Sequence, residues 1–358
     1  MTGVLLSEQE KERYAKQISV SDFGLEGQLK LKSAKVLVVG AGGLGCPSLQ
    51  YLAGSGVGKI GIADGDNIEV SNLPRQILYG EKDLGKKKVI IASEKLSGDN
   101  PHIQITPHPV HLSISNVEGI FRDYDIILDC TDNFPTRYLI NDTCVRYDKI
   151  LISGTVSDFG GQVSVFNYKN GPTYRCLFPE PPPEEEVPNC SSAGIIGIVP
   201  GICGMLQANE AIKIICELRG VLSGRLLCFN LLTLDFTSFS FPRSVQNYAQ
   251  TPSAQDGDSC REERLVGWSD FKKMKSENQP FQLIDVREPE EYIVNNMNGV
   301  SIPLGTLLLH LDKINREIPV IIHCKSGPRS KKAVKILAEQ GFSNAFYLEG
   351  GMLGMGNG

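Results

Sequence analysis

A glycine loop, a set of charged side chains downstream of it and two cysteines in unusual settings are the places where this sequence could do chemistry. Gly40, Gly42, Gly43 and Gly45 fall in GAGGLG between an apolar run and a helix-forming one. That spacing lets a phosphate approach the backbone at a helix N-terminus. Asp64 ends the next apolar run, where a carboxylate can hold ribose hydroxyls. These features alone favour NAD, but only weakly, because any nucleotide phosphate can use the same close approach. Asn72 and Arg75 in GDNIEVSNLPRQ, and Lys88 in LGKKKV, favour a triphosphate. A dinucleotide's diphosphate is held mostly by backbone donors, whereas attack at phosphorus builds charge on nonbridging oxygens that cations must neutralise. Asp132 in ILDCTDN is a candidate Mg²⁺ ligand beyond a strand's carboxyl end. Plainer readings stand beside these: Asp64 and Arg75 as a surface ion pair, Lys86 to Lys88 as a solvated turn, Asp132 as a helix cap.

The two cysteines call for different chemistry. Cys324 in IIHCKSGPRS ends a strand, Arg329 follows, and then a helix begins. The intervening backbone N–H groups can ring the sulfur and stabilise an anion. This loop resembles the active loop of rhodaneses, and LIDVREPEEY (Leu283 to Tyr292) resembles that domain's opening signature. A cysteine phosphatase loop carries one more residue between Cys and Arg to hold a phosphate oxyanion, so the shorter loop suits a persulfide. Cys190 lies in PEPPPEEEVPNCSSAG (Pro179 to Gly194), a Pro- and Glu-rich stretch before a buried helix. It reads as a mobile loop or crossing strand whose thiolate the helix N-terminus can favour, or as a spare loop cysteine.

The elements that must position these groups follow from the apolar pattern. Ser7 with Glu10 forms a capping box for an N-terminal helical arm through Lys32, interrupted at Gly24 and Gly27. KVLVVG, KIGIAD, HIQITPHPV, YDIILDC and DKILISG read as strands, CPSLQYLAGSG and PTRYLINDTCVRY as helices. The fold class is therefore α/β, a doubly wound, Rossmann-like sheet, with GQVSVFNY and RLLCFNLLTLDFTSFSF as antiparallel additions that make it mixed. After a polar linker, 242–259, a second and smaller α/β pattern begins: helix GWSDFKKMK, strands FQLIDV, PVIIHC and NAFYLEG, helix SKKAVKILAEQ. The expected organisation is thus 1–241, a linker, and 260–358.

The 358 residues, 41% hydrophobic with a net charge of -5, suffice for two cores. Mild acidity without a Lys/Arg-rich block argues against nucleic acid or an anionic membrane as partner. The N-terminus lacks the plan of a signal peptide, and the apolar run Ala193 to Leu206 is too short for a bilayer. The expectation is a cytoplasmic chain whose ten cysteines, with no C-x-x-C pair among them, are mostly buried and reduced.

Taken in order, RYAKQI, GAGGLGCPSLQYLAGSGVG, DGDNIEVSNLPRQ, LDCTDN and AIKI resemble the MoeB/ThiF/HesA adenylyltransferases, relatives of the ubiquitin-activating enzymes, over roughly the first two thirds of the chain. The resemblance implies that ATP activates the C-terminal Gly-Gly carboxylate of a small ubiquitin-like sulfur carrier as an acyl-adenylate. Asp64 would hold the ribose, Asn72, Arg75 and Lys88 the phosphates, and Asp132 the Mg²⁺. It further implies a homodimer in which Lys16, standing where the family usually has arginine, reaches a phosphate in the neighbouring subunit without arginine's bidentate fork. Cys190 would lie near the adenylated tail and take part in thioester or acyl-disulfide chemistry. The rhodanese resemblance, over about Asp258 to Gly354, implies sulfur accepted from a persulfide donor on Cys324. It departs from that pattern at NNMNGV and in its short tail after LEGGM. The adenylyltransferases commonly close a structural zinc with two C-x-x-C pairs. Thr173 replaces one cysteine, Cys176 stands alone and the second pair is missing, so that zinc is expected to be absent. The rival readings are an NAD-dependent oxidoreductase and a catalytically degenerate scaffold that binds the carrier.

Overall fold

The computed structural model of the chain describes residues 5–182, 194–244, 264–277 and 279–356. It divides into two compact units, Met1–Gly257 and Asp258–Gly358.

The first unit is built on strands β1 (Lys35–Val39), β2 (Lys59–Ala63), β3 (Gln104–His108), β4 (Ile126–Asp129), β5 (Ile150–Ser157), β6 (Gly160–Phe166), β7 (Arg225–Asn230) and β8 (Asp235–Ser240). They form one eight-stranded sheet in the order β3-β2-β1-β4-β5-β6-β7-β8. The strands up to β5 pair in parallel and the rest antiparallel, the mixed sheet that the apolar pattern predicts. Both faces of β1 are covered, which is why its sequence is continuously apolar rather than alternating. Val36 and Val38 enter one core with Leu49 and Leu52 of the helix Gly45–Ser55. Leu37 and Val39 enter another with Phe121, Tyr124 and Ile140. Each such fully buried aliphatic side chain stabilises the fold by about 1.5–3 kcal/mol.

Register decides where chemistry can happen. Val39 pairs with Ala63 on one side and with Asp129 on the other. The glycine loop after β1, Asp64 after β2 and the turn after β4 therefore leave the sheet along one edge, the carboxyl edge where ligands bind in such sheets. The helix Ile198–Ile215 is apolar and long enough to cross a membrane by composition, yet half of it is buried. It packs on the helix Gly45–Ser55, with Gly204 against the Leu44 carbonyl and accepting a hydrogen bond from Ser48 Oγ (2.8 Å).

In the N-terminal arm the predicted capping box is present. Ser7 N donates to Glu10 Oε2 (2.7 Å) and Glu10 N to Ser7 Oγ (3.2 Å). Gly24, at φ +57°, opens the helix Gly24–Ser33 after a break. Gly27, read as a second interruption, lies inside that helix, where the Phe23 ring covers it and leaves no room for a Cβ.

The second unit is a parallel five-stranded sheet of β9 (Leu265–Val266), β10 (Gln282–Asp285), β11 (Val300–Ser301), β12 (Val320–His323) and β13 (Ala345–Leu348), in the order β11-β10-β12-β13-β9. Helices Trp268–Ser276, Pro289–Val294 and Pro328–Glu339 flank it. The two-residue strands β9 and β11 escaped the sequence reading because no periodicity can be read from two residues.

Candidate functional sites

The first site is assembled at the carboxyl edge of the eight-stranded sheet. Gly40 sits at φ +94°, and a Cβ there would come 2.6 Å from the Cys130 carbonyl oxygen. A Cβ on Gly45 would overlap the Gly40 carbonyl, so the turn closes only with glycine at both places. Tyr79 braces the loop by donating to the Ala41 carbonyl (2.9 Å). Asp64 Oδ2 accepts from Ala41 N (2.8 Å) and Oδ1 from Asp66 N (2.8 Å), which aims this carboxylate at the loop. Arg75 donates to the Ser71 carbonyl (2.7 Å), and its Cγ lies 3.5 Å from where a Gly43 Cβ would stand. Asp64 and Arg75 thus have separate partners, and the surface-pair reading of them does not describe the fold.

Lys88 is not in a solvated turn. It is buried at the start of the helix Lys88–Asp99, with Nζ 2.8 Å from Asp66 Oδ2. Burial pushes the Asp66 carboxyl up, but the Lys88 hydrogen bond and charge outweigh it and hold the group below the ordinary aspartate value. Asn72 is buried and accepts from Glu69 N (3.1 Å), fixing the short turn that carries Arg75. The sequence reading missed Gln76, which is 4% exposed, with an unpartnered Oε1 and an Nε2 3.6 Å from a Cβ built at Gly42. A buried amide oxygen without a donor, beside a loop of close-approach glycines, fits a site that takes a polar ligand.

Asp132 is exposed, and among the described residues none donates to its carboxylate. The helix Phe134–Arg146 is capped by Asn133, whose Oδ1 accepts from Thr136 N (2.9 Å), so capping does not account for Asp132. The turn that carries Asp132 is held from below. Asp129, fully buried, accepts from Arg137 Nε (3.1 Å), Ser153 Oγ (3.1 Å) and Thr131 Oγ1 (2.6 Å). Arg137 also donates to the Thr131 carbonyl (2.9 Å). Lys16 is exposed on the helix Ala15–Ile18, and Cys190 lies outside the described residues.

The second site follows β12. Cys324 is 1% exposed, and its Sγ accepts from Gly327 N (3.1 Å) and lies 3.6 Å from Ser330 Oγ. Burial raises the thiol's pKa, but the N–H and hydroxyl of Ser330 and the N–H groups of Ser326 and Gly327 outweigh it, leaving the group below the usual cysteine value. At Cys46 and Cys203 burial outweighs the hydrogen bonds that favour the thiolate and pushes the thiol up to about 12. Arg329 is turned to Glu291, which accepts from both guanidinium ends (2.5 and 2.9 Å). It therefore fixes the loop's frame rather than touching the sulfur. The short C-terminal segment contributes too: Met352 N donates to the Cys324 carbonyl (2.9 Å) and Leu353 N to that of Lys325 (3.0 Å). Ser330, unremarked in the sequence, is a thiolate donor. Ser330→Ala is expected to raise the Cys324 pKa and move its alkylation profile to higher pH. An unmoved profile would show that the backbone donors alone set it.

Cys176 sits between Thr173 and Ser244. Its Sγ accepts from Thr173 N (3.3 Å) and Ser244 N (3.3 Å).

The ThiF family matches residues 14–249, and the rhodanese-like domain matches residues 268–357. The adenylyltransferase and sulfurtransferase MOCS3 of Xenopus laevis is 40% identical over 91% of this chain and 81% of its own length. That of Culex quinquefasciatus is 41% identical over 93% and 83%. Among solved structures, E. coli MccB with AMPCPP and MccA has a TM-score of 0.57 at 24% identity, covering 66% of this chain and 72% of that one. PaaA has a TM-score of 0.58 at 21% identity, covering 68% and 77%. These two likenesses concern the fold alone.

Proposed function

Because this chain belongs to the ThiF family and continues into a rhodanese-like domain, we propose that it adenylylates the C-terminal glycine of a ubiquitin-like sulfur carrier with ATP and then places sulfur on that carbonyl. The reading is carried by one observation: a glycine loop with Asp64 bonded to it, Arg75 beside it and Lys88 paired with the neighbouring Asp66, and a cysteine held toward thiolate in a short Cys-to-Arg loop, belong to one chain. An NAD-dependent oxidoreductase needs neither the cations nor the second loop.

In the first half-reaction the carrier's carboxylate attacks the α-phosphorus of ATP and the bond to pyrophosphate breaks. Asp64 receives the ribose, and Asn72, Arg75 and Lys88 neutralise and align the phosphates. Lys88 changes partner from Asp66 to phosphate as ATP enters. The unshared carboxylate of Asp132 suits a hard cation, and Mg²⁺ held there would screen the phosphate charge. In the second half-reaction the terminal sulfur of a Cys324 persulfide, loaded by a persulfide donor, attacks the acyl carbonyl and AMP leaves. A second thiolate, that of Cys190 or of an added thiol, then attacks Cys324 Sγ; the S–S bond to the carrier breaks, thiocarboxylate leaves, and the disulfide left on Cys324 is returned to thiol by a thiol reductant.

We further propose a homodimer, with Lys16 of one protomer serving its partner's phosphates. A groove of about 470 Å³ lined by Pro47, Tyr51, Pro74, Ile77, Ile198 and Met205, with Tyr51, Ile77 and Ile198 more than half exposed, supports association near Arg75. The position where the family binds zinc offers one thiolate, and one thiolate cannot build a tetrahedral site. Elemental analysis is expected to find zinc well below one per chain; stoichiometric zinc would overturn this.

The test is to mix the purified chain, ATP, Mg²⁺ and a persulfide donor with a carrier ending in Gly-Gly and to weigh the carrier. Replacement of one carboxylate oxygen by sulfur is the expected result. A carrier that binds but shows neither pyrophosphate exchange nor added sulfur would make the chain a degenerate scaffold.

A further inference from the structure

The order of the strands lays out the nucleotide as a line across the sheet. If the reading above holds, on which this inference rests, the phosphates lie over the glycine loop after β1 and the turn after β4, and the ribose at Asp64 after β2. The next strand on the far side from the phosphates is β3. The base must then arrive over the segment that follows β3, beginning at His108.

That segment carries a flat side chain in the right place. The His111 imidazole lies over Gly65, the residue after Asp64, so closely that a Cβ on Gly65 would overlap its Cδ2, Nε2 and Cε1 atoms. The ring remains 77% exposed, with Nε2 3.7 Å from Asp66 Oδ1. Its backbone is fixed before any ligand arrives. Asp64 N donates to the His108 carbonyl (3.2 Å), Val110 N to the same carbonyl (2.8 Å) and Asn116 Nδ2 to the His111 carbonyl (2.8 Å). Asp64, Gly65 and the loop that carries His111 are thus tied together, and an aromatic face stands open beside the ribose position.

We propose that His111 is the platform on which the adenine ring of ATP stacks, and so a specificity-determining residue that separates a base-bearing triphosphate from a bare one. Stacking accepts any base face, so the residue rewards the presence and size of the ring rather than its hydrogen-bonding edge. Substitution at this exposed ring removes a ligand contact without opening a core cavity.

The test compares ATP with inorganic tripolyphosphate by calorimetric titration of the full chain in Mg²⁺. The native chain is expected to bind ATP more tightly than tripolyphosphate. His111→Ala should weaken ATP about tenfold, the order of one lost stacking contact, leave tripolyphosphate unchanged and melt at the native temperature. His111→Phe, which keeps a flat ring and loses the ring nitrogens, should retain ATP binding. Native ATP affinity in His111→Ala would overturn the proposal. So would equal weakening of both ligands, which would place His111's effect on the phosphates through Asp66 and Lys88, or a Phe variant as weak as Ala. A native chain that binds tripolyphosphate but gains nothing from the nucleoside would sink the inference alone. One that binds neither would sink the adenylation reading together with it.

Discussion

Cys324→Ala is expected to leave carrier-dependent ATP–pyrophosphate exchange nearly unchanged while abolishing thiocarboxylate formation from a persulfide donor. Adenylate formation needs alignment of a carboxylate with the α-phosphorus and neutralised phosphate oxygens, and no protein thiol takes part. The groups proposed for it all lie in the first unit, whereas Cys324 belongs to the core of the second with Ile284, Leu307 and Val334. Removing the sulfur leaves the Gly327 N–H without its acceptor, while the Ser330 hydroxyl keeps the Gly327 carbonyl (2.8 Å). Cys324→Ser keeps an acceptor there and cannot form a persulfide. Both variants should therefore fail at sulfur transfer alone. Cys190→Ala should also spare exchange, with a smaller or donor-dependent loss afterwards. Thiocarboxylate made at the native rate by Cys324→Ala would reduce the second unit to an accessory.

The sequence shows residue types at fixed local spacing, and whatever depends only on spacing was legible. The glycine loop, Asp64 at the end of β2, the Cys324 loop and the two α/β patterns are of this kind. What was hidden depends on pairings formed by the fold. Lys88 is visibly a cation, but its partner Asp66 lies 22 positions earlier and meets it only because Lys88 begins a helix behind the Asp64 turn. Glu291 faces Arg329 across 38 positions, so the guanidinium that the sequence places beside the loop is engaged by a partner the spacing does not show. Gln76 looks like one more polar residue of a turn until its oxygen is found buried without a donor. The sequence offered Asp132 as a helix cap, and only backbone geometry gives that place to Asn133.

That choice leaves Asp132 available, and it sets up the second large effect. Asp132→Ala is expected to lower carrier-dependent pyrophosphate exchange by roughly two to three orders of magnitude, the scale seen when a group that stabilises transition-state charge is removed. The chain should stay folded, because the side chain is exposed and neither caps the helix nor joins the network below it; such surface changes shift stability by about 0.5 kcal/mol or less. Asp129 supplies the control. It is fully buried against Arg137, and Asp129→Ala would leave that guanidinium without its carboxylate, a loss of about 3–5 kcal/mol. Two aspartates three positions apart, one ending β4 and one on the turn after it, should thus fail differently: Asp132→Ala inactive at a native melting temperature, Asp129→Ala inactive because the sheet edge that carries the turn is destabilised. Asp132→Asn sharpens the comparison, since it keeps the shape of the side chain and loses the charge that a hard cation requires. Exchange near the native rate in Asp132→Ala, measured at saturating Mg²⁺, would exclude this carboxylate from the reaction.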